Sequence, residues 1–387
     1  MVDAAAVRRL FPHTGKTVYF NTASVGPQPD PACKIQEAYF RRTQMVDIGN
    51  QAEIFAALDN IRKNGAKIFG GKKSEIGFGF NTTFGINLAA FGLPLKSGDE
   101  VLLSHVEFPA NVYPWLELRR RGVRIKFIKS PDGFLKTDSI VKMITKRTRV
   151  LSVSFVQYFN GFKPDMDALA EVCRRHGIYL VLDSIQGAGC EPLDVHKWDV
   201  ASASAGAQKW LLSPQGTGLF YVSEQMQERL HAPWRSWLSV DWKCRWHDLR
   251  RFNLDYDPSA RQYELGTYPG ALVLSFDWTL EYMTRLGIRA IQRHNHGLLD
   301  ILIGYLRQED FYRITSSLVP KHRSSILTFT TDRGDISAVH QFLLKNKIVT
   351  ALREGSIRVS AHIFNDRSDV EELIDGLGKA AGRFGRK

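Results

Sequence analysis

Cysteine is scarce in this chain: four in 387 residues, Cys33, Cys173, Cys190 and Cys244, with no C-x-x-C pair among them. That scatter excludes a disulfide framework and offers no zinc-ligand spacing, so free thiols and no metal are expected. Long apolar runs are missing too. The longest cover a few residues against the roughly 20 that span a bilayer, and the opening MVDAAAVRRLFPHTGK has no uninterrupted apolar core. A cytoplasmic location with no membrane partner is the expectation. Acidic residues fall short of basic ones, 40 against 52, which leaves a formal charge of +12. No nucleic-acid-reading motif accompanies that excess. The densest basic stretch, 119–129, ends a helix-like segment and then alternates with Ile125, Phe127 and Ile128. A basic surface that draws in anionic small substrates is therefore expected, and no nucleic acid. No internal repeat or low-complexity linker divides the chain, whose 44% hydrophobic and 11% aromatic content is that of a globular protein.

What is present concentrates in 178–210, IYLVLDSIQGAGCEPLDVHKWDVASASAGAQKW. Five apolar residues, 178–182, have the length of a strand covered on both faces, and they stop on Asp183. Ligands of open parallel sheets bind beyond the carboxyl ends of the strands, so that carboxylate points to a site. A second strand over 200–204 then delivers Lys209, flanked by small and apolar residues that would partly desolvate its amine and favour the free base. An acid at one strand end and a lysine after the next suit pyridoxal phosphate. The lysine forms a Schiff base with the cofactor aldehyde, and the acid keeps the pyridine nitrogen protonated so that the ring can take up electrons.

Three segments in order carry a family resemblance: Asp183-Ser184-Ile185-Gln186-Gly187-Ala188, Gln208-Lys209-Trp210-Leu211 and Pro214-Gln215-Gly216-Thr217-Gly218. Together they resemble the class V aminotransferase family, the group that contains cysteine desulfurases and isopenicillin N epimerase-like proteins. The resemblance covers nearly the whole chain. It implies an α/β protein of the fold-type I pyridoxal-phosphate-dependent transferases. A seven-stranded, mostly parallel sheet with helices on both faces is expected, with a smaller α/β domain. Residues 1–30 would form an N-terminal arm, 31–275 the large cofactor-binding domain and 276–387 the small one.

Further segments fit that frame. In 78–90, strand-like residues run through Thr82 and Thr83 into an apolar helical pattern, placing hydroxyls and free N–H groups where a phosphate binds. Asn81 and Phe84 stand where the resembled family has Gly and Glu. In 105–115 the family's stacking aromatic corresponds to Phe108, which can cover the pyridoxal ring but cannot carry a proton, unlike the usual histidine. Gln186 is implied as the partner of the phenolic oxygen and Gln208 as a phosphate ligand, with Gly206 where the family has a serine. Tyr158 aligns with an asparagine of the desulfurases. Trp234, Trp237, Trp242 and Trp246 form core, subunit interface or a roof over the substrate. Asn21 in the arm and Arg358 in 353–360 are implied as substrate-binding, since a guanidinium forks onto a carboxylate. Thr267, in Tyr263-Glu264-Leu265-Gly266-Thr267, is implied to reach the phosphate of a neighbouring subunit, hence a homodimer.

Lys209 and Asp183 are thus the catalytic pair of a transferase or lyase acting on an amino acid. Transamination, carbon–sulfur cleavage and epimerisation begin from the same carbanion. Cysteine desulfurases carry a mobile cysteine before the carboxylate-binding arginine, and 348–355 holds none. An aminotransferase-like enzyme is the first expectation, with a carbon–sulfur lyase or epimerase next and a kynureninase-like hydrolase behind them. A non-catalytic cofactor-binding or nucleic-acid-binding protein is the alternative of another class.

Overall fold

The structure is a computed structural model that describes residues 2–46, 51–242, 250, 252 and 255–385. Cys244 and Trp246 lie outside the described residues. Across the main sheet the strands run Ile76–Gly79, Gly218–Val222, Val200–Gly206, Tyr179–Asp183, Thr148–Ser154, Glu100–Ser104 and Arg124–Ile128. Only Gly218–Val222 runs against its neighbours. The expected seven-stranded, mostly parallel sheet is therefore present.

Alternation along the central strand sorts side chains to two faces. Leu180 and Leu182 join a core with Leu58, Ile61 and Phe69 of the helix Gln51–Phe69, while Val181 joins a second core with Ile86 and Leu88 of the helix Thr82–Gly92. Burial on both faces explains the continuous apolar run. The helix Gly270–Leu286 packs on Asp30–Gln44 and Gln51–Phe69, and its Phe276, Leu280 and Met283 lie in the first core.

A second sheet has four antiparallel strands in the order Ala351–Arg353, Ser356–Ser360, Ile326–Thr330 and Arg313–Ile314. It shares a third core with Leu298, Leu302 and Leu306 of Ile288–Gln308 and with Val370, Leu373 and Leu377 of Arg367–Phe384. The chain start joins this unit. Val18–Tyr19 pairs with Ile348–Val349, and Ser360 Oγ accepts from Ala23 N–H at 3.0 Å. The boundary expected at 275/276 falls inside the helix Gly270–Leu286. We propose Gly287 as the division instead, between one helix buried in the first core and one buried largely in the third. Among the described residues no helix is long and apolar enough to cross a membrane.

Candidate active site

The strand Tyr179–Asp183 lies between Thr148–Ser154 and Val200–Gly206, so Asp183 emerges at the middle of the sheet's carboxyl edge. Its side chain is 2% exposed, and Oδ1 accepts from the Ile185 N–H at 3.0 Å. Burial pushes this carboxyl well above the usual range; the Ile185 N–H opposes that, the charge of Glu107 adds to it, and Lys209 opposes it. Among the described residues no cation is hydrogen-bonded to it. A buried acid in that state suits a protonated ring nitrogen, which would supply the missing positive partner. Lys209 follows the next strand, and burial pushes its amine below the ordinary lysine value, against the pull of Asp183 and with help from Arg358 and Arg353. Its Nζ has no hydrogen-bond partner among the described residues and stands 5.7 Å from the Phe108 ring centroid. Both groups line one cavity of about 280 Å³.

The amine shift gives a measurable outcome. In cofactor-free protein, acylation of Lys209, read by peptide mass spectrometry, should rise through a midpoint below the ordinary lysine value of about 10.4. The neutral amine is the reacting form, so the rate climbs with pH and levels off above the folded-state pKa. A midpoint at the ordinary value would show that the site leaves Lys209 solvated.

At one end of the cavity the helix Thr82–Gly92 begins. Asn81 caps it by accepting from Phe84 N–H at 2.9 Å, and the Thr82 hydroxyl accepts from Gly206 N–H at 2.9 Å, which braces the helix against the strand. Thr83, Asn81 and Gln208 line the same end. First-turn N–H groups and neutral side-chain donors there suit a phosphate. Gly206 leaves the Gln208 side chain its place: a Cβ at 206 would stand 2.4 Å from Gln208 Oε1. The N-terminal arm closes over this region, with Gly26 N–H donating to Gln208 O. Only glycine passes there, since a Cβ at 26 would lie 2.1 Å from the Lys209 carbonyl oxygen.

Gln186 is held from both sides. Its Nε2 donates to Ala23 O at 3.0 Å, and its Oε1 accepts from Trp210 Nε1 at 2.9 Å, which leaves one amide N–H for the cavity. Phe108 is 43% exposed and edge-on to Tyr158, so it lies on the cavity wall and not in a core.

The far end is built by a hairpin. Glu354 and Gly355 both have left-handed φ, 44° and 71°, as a two-residue turn between twisted strands requires. Arg353 pairs with Ser356 and Ala351 with Arg358, so the period of two puts all four on one face. Arg358 is 2% exposed, yet it has no carboxylate partner among the described residues. It donates to Tyr158 O and, at 2.7 Å, to Ser24 Oγ, while its Nε is buried without a partner. Burial, then Arg353, lowers its pKa to about 10. A guanidinium so placed is ready for a carboxylate from outside the chain.

Of the residues expected from the sequence, Lys209, Asp183, Thr82, Thr83, Phe108, Gln186, Gln208 and Arg358 converge on this cavity. Asn21 does not line it; it bridges to Ser360 with its Oδ1 buried, and its neighbours Ala23 and Ser24 reach the wall instead. Thr267 lies elsewhere, exposed on a separate cavity of about 180 Å³ with Phe55, Trp237 and Tyr268. Arg353, Ser24 and Asn81 were missed. Reading the alternation through the Glu354-Gly355 turn would have found Arg353.

The sequence model of the family described as aminotransferase class-V matches residues 37–373. A probable cysteine desulfurase of Methanothermobacter thermautotrophicus is 25% identical over 97% of this chain and 98% of that protein. The cysteine desulfurase CsdA of Escherichia coli superposes with a TM-score of 0.85 at 20% identity, over 99% of this chain and all of that one. The cystine C-S lyase C-DES, solved with its product cysteine persulfide, gives 0.85 at 21% identity over 97% of this chain and all of that one. Another structure of that lyase holds glycine covalently linked to pyridoxal phosphate. The structural likenesses establish the fold; the family match spans most of the chain and includes the acid, the lysine and the arginine that meet in the cavity. The chain belongs to the class V aminotransferase family of pyridoxal-phosphate-dependent enzymes.

Proposed function

We propose that this enzyme is a carbon–sulfur lyase that eliminates sulfur from a cysteine- or cystine-type amino acid without a protein-bound persulfide. The observation that carries the reading is the composition of the cavity: Lys209 and Arg358 face it, and none of the described cysteines lines it. Cys173 and Cys190 are buried, and burial raises both thiols, Cys173 to about 12. Among the described residues a sulfur atom therefore has no thiolate in the cavity to land on, and in this reading it leaves with its own fragment. The names of the relatives, desulfurases and a cystine lyase, favour sulfur chemistry over the aminotransferase-like reaction first expected from the sequence.

Pyridoxal phosphate, when bound, supplies an electron sink for the charge left at the α-carbon. In this reading Asp183 holds its ring nitrogen, Gln186 its phenolic oxygen, and Thr82, Thr83 and Gln208 its phosphate, with Phe108 against the ring face. Arg358 fixes the substrate carboxylate so that the α-hydrogen faces Lys209, whose amine removes it. The balance is R–S–CH₂–CH(NH₃⁺)–COO⁻ plus water giving R–SH, pyruvate and ammonium. The test is a panel of amino acids read for pyruvate and released thiol, persulfide or sulfide. Pyruvate with stoichiometric sulfur release is expected. A 2-oxo acid that keeps its sulfur, or a racemised amino acid, would overturn elimination in favour of transamination or epimerisation.

The dimer expected from the sequence enters the same proposal. The phosphate end of the cavity, Asn81, Thr82, Thr83 and Gln208, carries no cation, so a hydroxyl from Thr267 of a second copy gains weight. Thr267→Ala is expected to weaken cofactor binding roughly ten- to a hundredfold, the cost of about 1.5–3 kcal/mol for a hydrogen bond to a charged group. Cofactor titration with mass measured in solution checks it. A monomer that binds as tightly as wild type would remove Thr267 from the site.

A further inference from the structure

A sulfur departing from carbon is helped by a proton, and the Lys209 amine is engaged at the α-carbon. Among the described residues the other titratable groups on the cavity wall are Asp183, Tyr158, Arg353 and Arg358. Asp183 is buried at the strand end, and guanidinium groups do not release protons. Phe108 has none to give. Tyr158 remains. Its position is fixed from three sides: its carbonyl accepts from Arg358, its ring meets Phe108 at 5.2 Å, and its hydroxyl donates to Glu354 Oε1 at 3.2 Å. That last bond is long, and Tyr158 lines both the Lys209 cavity and an adjoining one of about 390 Å³ that it shares with Glu354 and Ser130. Tyr158 thus stands on the wall between the two cavities.

We propose that Tyr158 is the proton donor to the departing sulfur, and that Glu354 orients its hydroxyl. This rests on the elimination reading. As the Cβ–S bond breaks, its electron pair stays on sulfur and takes the Tyr158 proton; the pair released at the α-carbon forms the Cα–Cβ double bond. Water then reprotonates the phenolate from the exposed Glu354 side. Burial and the Glu354 charge raise the phenol above its ordinary value, against Arg353 and Arg358, so it enters the step protonated.

The experiment compares leaving groups. Chloride leaves β-chloroalanine without a proton, whereas methanethiolate leaves S-methylcysteine poorly. Tyr158→Phe should cut pyruvate formation from S-methylcysteine by about 10²–10⁴-fold, the usual worth of a positioned acid, and by at least tenfold less from β-chloroalanine. Glu354→Gln should show a smaller loss of the same sign. Tyrosinate difference absorbance, wild type minus Tyr158→Phe, should titrate above the ordinary phenol value of about 10. Equal losses on both substrates would make Tyr158 a packing residue of the hairpin and overturn the proposal, as would an unchanged variant. A wild type that forms no pyruvate from these two substrates, cysteine or cystine would instead sink elimination itself, and the proton donor with it.

Discussion

Lys209→Ala is expected to abolish turnover while leaving the chain folded. Its amine serves as base at the α-carbon and as covalent anchor for the cofactor, and removing a positioned acid–base group alone costs about 10²–10⁴-fold. No hydrogen bond is lost with it among the described residues, and a largely desolvated cation disappears, so the melting temperature of the cofactor-free protein should hold or rise. A small primary amine added to the variant should restore part of the rate, because the cavity left by the side chain faces the reacting carbon. Lys209→Arg should not be rescued, since its guanidinium fills the space and stays protonated. Retained turnover in Lys209→Ala would remove the central assignment.

Arg62→Ala should be the most destabilising single change described here. Arg62, on the helix Gln51–Phe69, forks onto Glu264 with bonds of 2.9 Å and 2.7 Å. Glu264 is fully buried, and it also accepts from Phe78 N–H and from the Tyr268 hydroxyl. Removing the cation strands a buried carboxylate, which costs about 3–5 kcal/mol. That is a large part of the 5–15 kcal/mol typical of a domain. Urea unfolding measures it. Arg62→Lys should lose less, because charge survives while the fork does not. A shift below about 1 kcal/mol would mean that water reaches Glu264. Three residues further on is Thr267, so the pair also holds the loop that is proposed to meet a second subunit.

The central strands of the large sheet were legible because they are buried on both faces, while the count of seven came from the family resemblance. Runs such as 178–182 and 101–103 carry no polar interruption, and each ends on a residue that marks the sheet edge. Asp183 and Lys209 were expected from where those strands stop, and Gln208 from the family resemblance; all three line the one cavity. Arg358 was legible through its segment. Arg353 was not, because its role depends on pairing across a turn and not on its neighbours in sequence. Asn21 was misplaced by a small distance, since a short extended arm fixes which residues are near the site but not which of them faces it. The division proposed at Gly287 lies beyond the expected 275/276, because an amphipathic helix does not declare which sheet it will cover.

Gly206 and Gln208 have a consequence beyond their own contacts. The space above the backbone at 206 holds either a side chain of that residue or the Gln208 amide, since an added Cβ would displace Oε1 from 2.4 Å. Where the resembled family has a serine this chain has Gly206, and the Gln208 amide fills the space. A change at 206 is therefore felt by the side chain at 208. Gly206→Ser would add a hydroxyl and at the same time make the Gln208 amide shift, since the added Cβ crowds its Oε1.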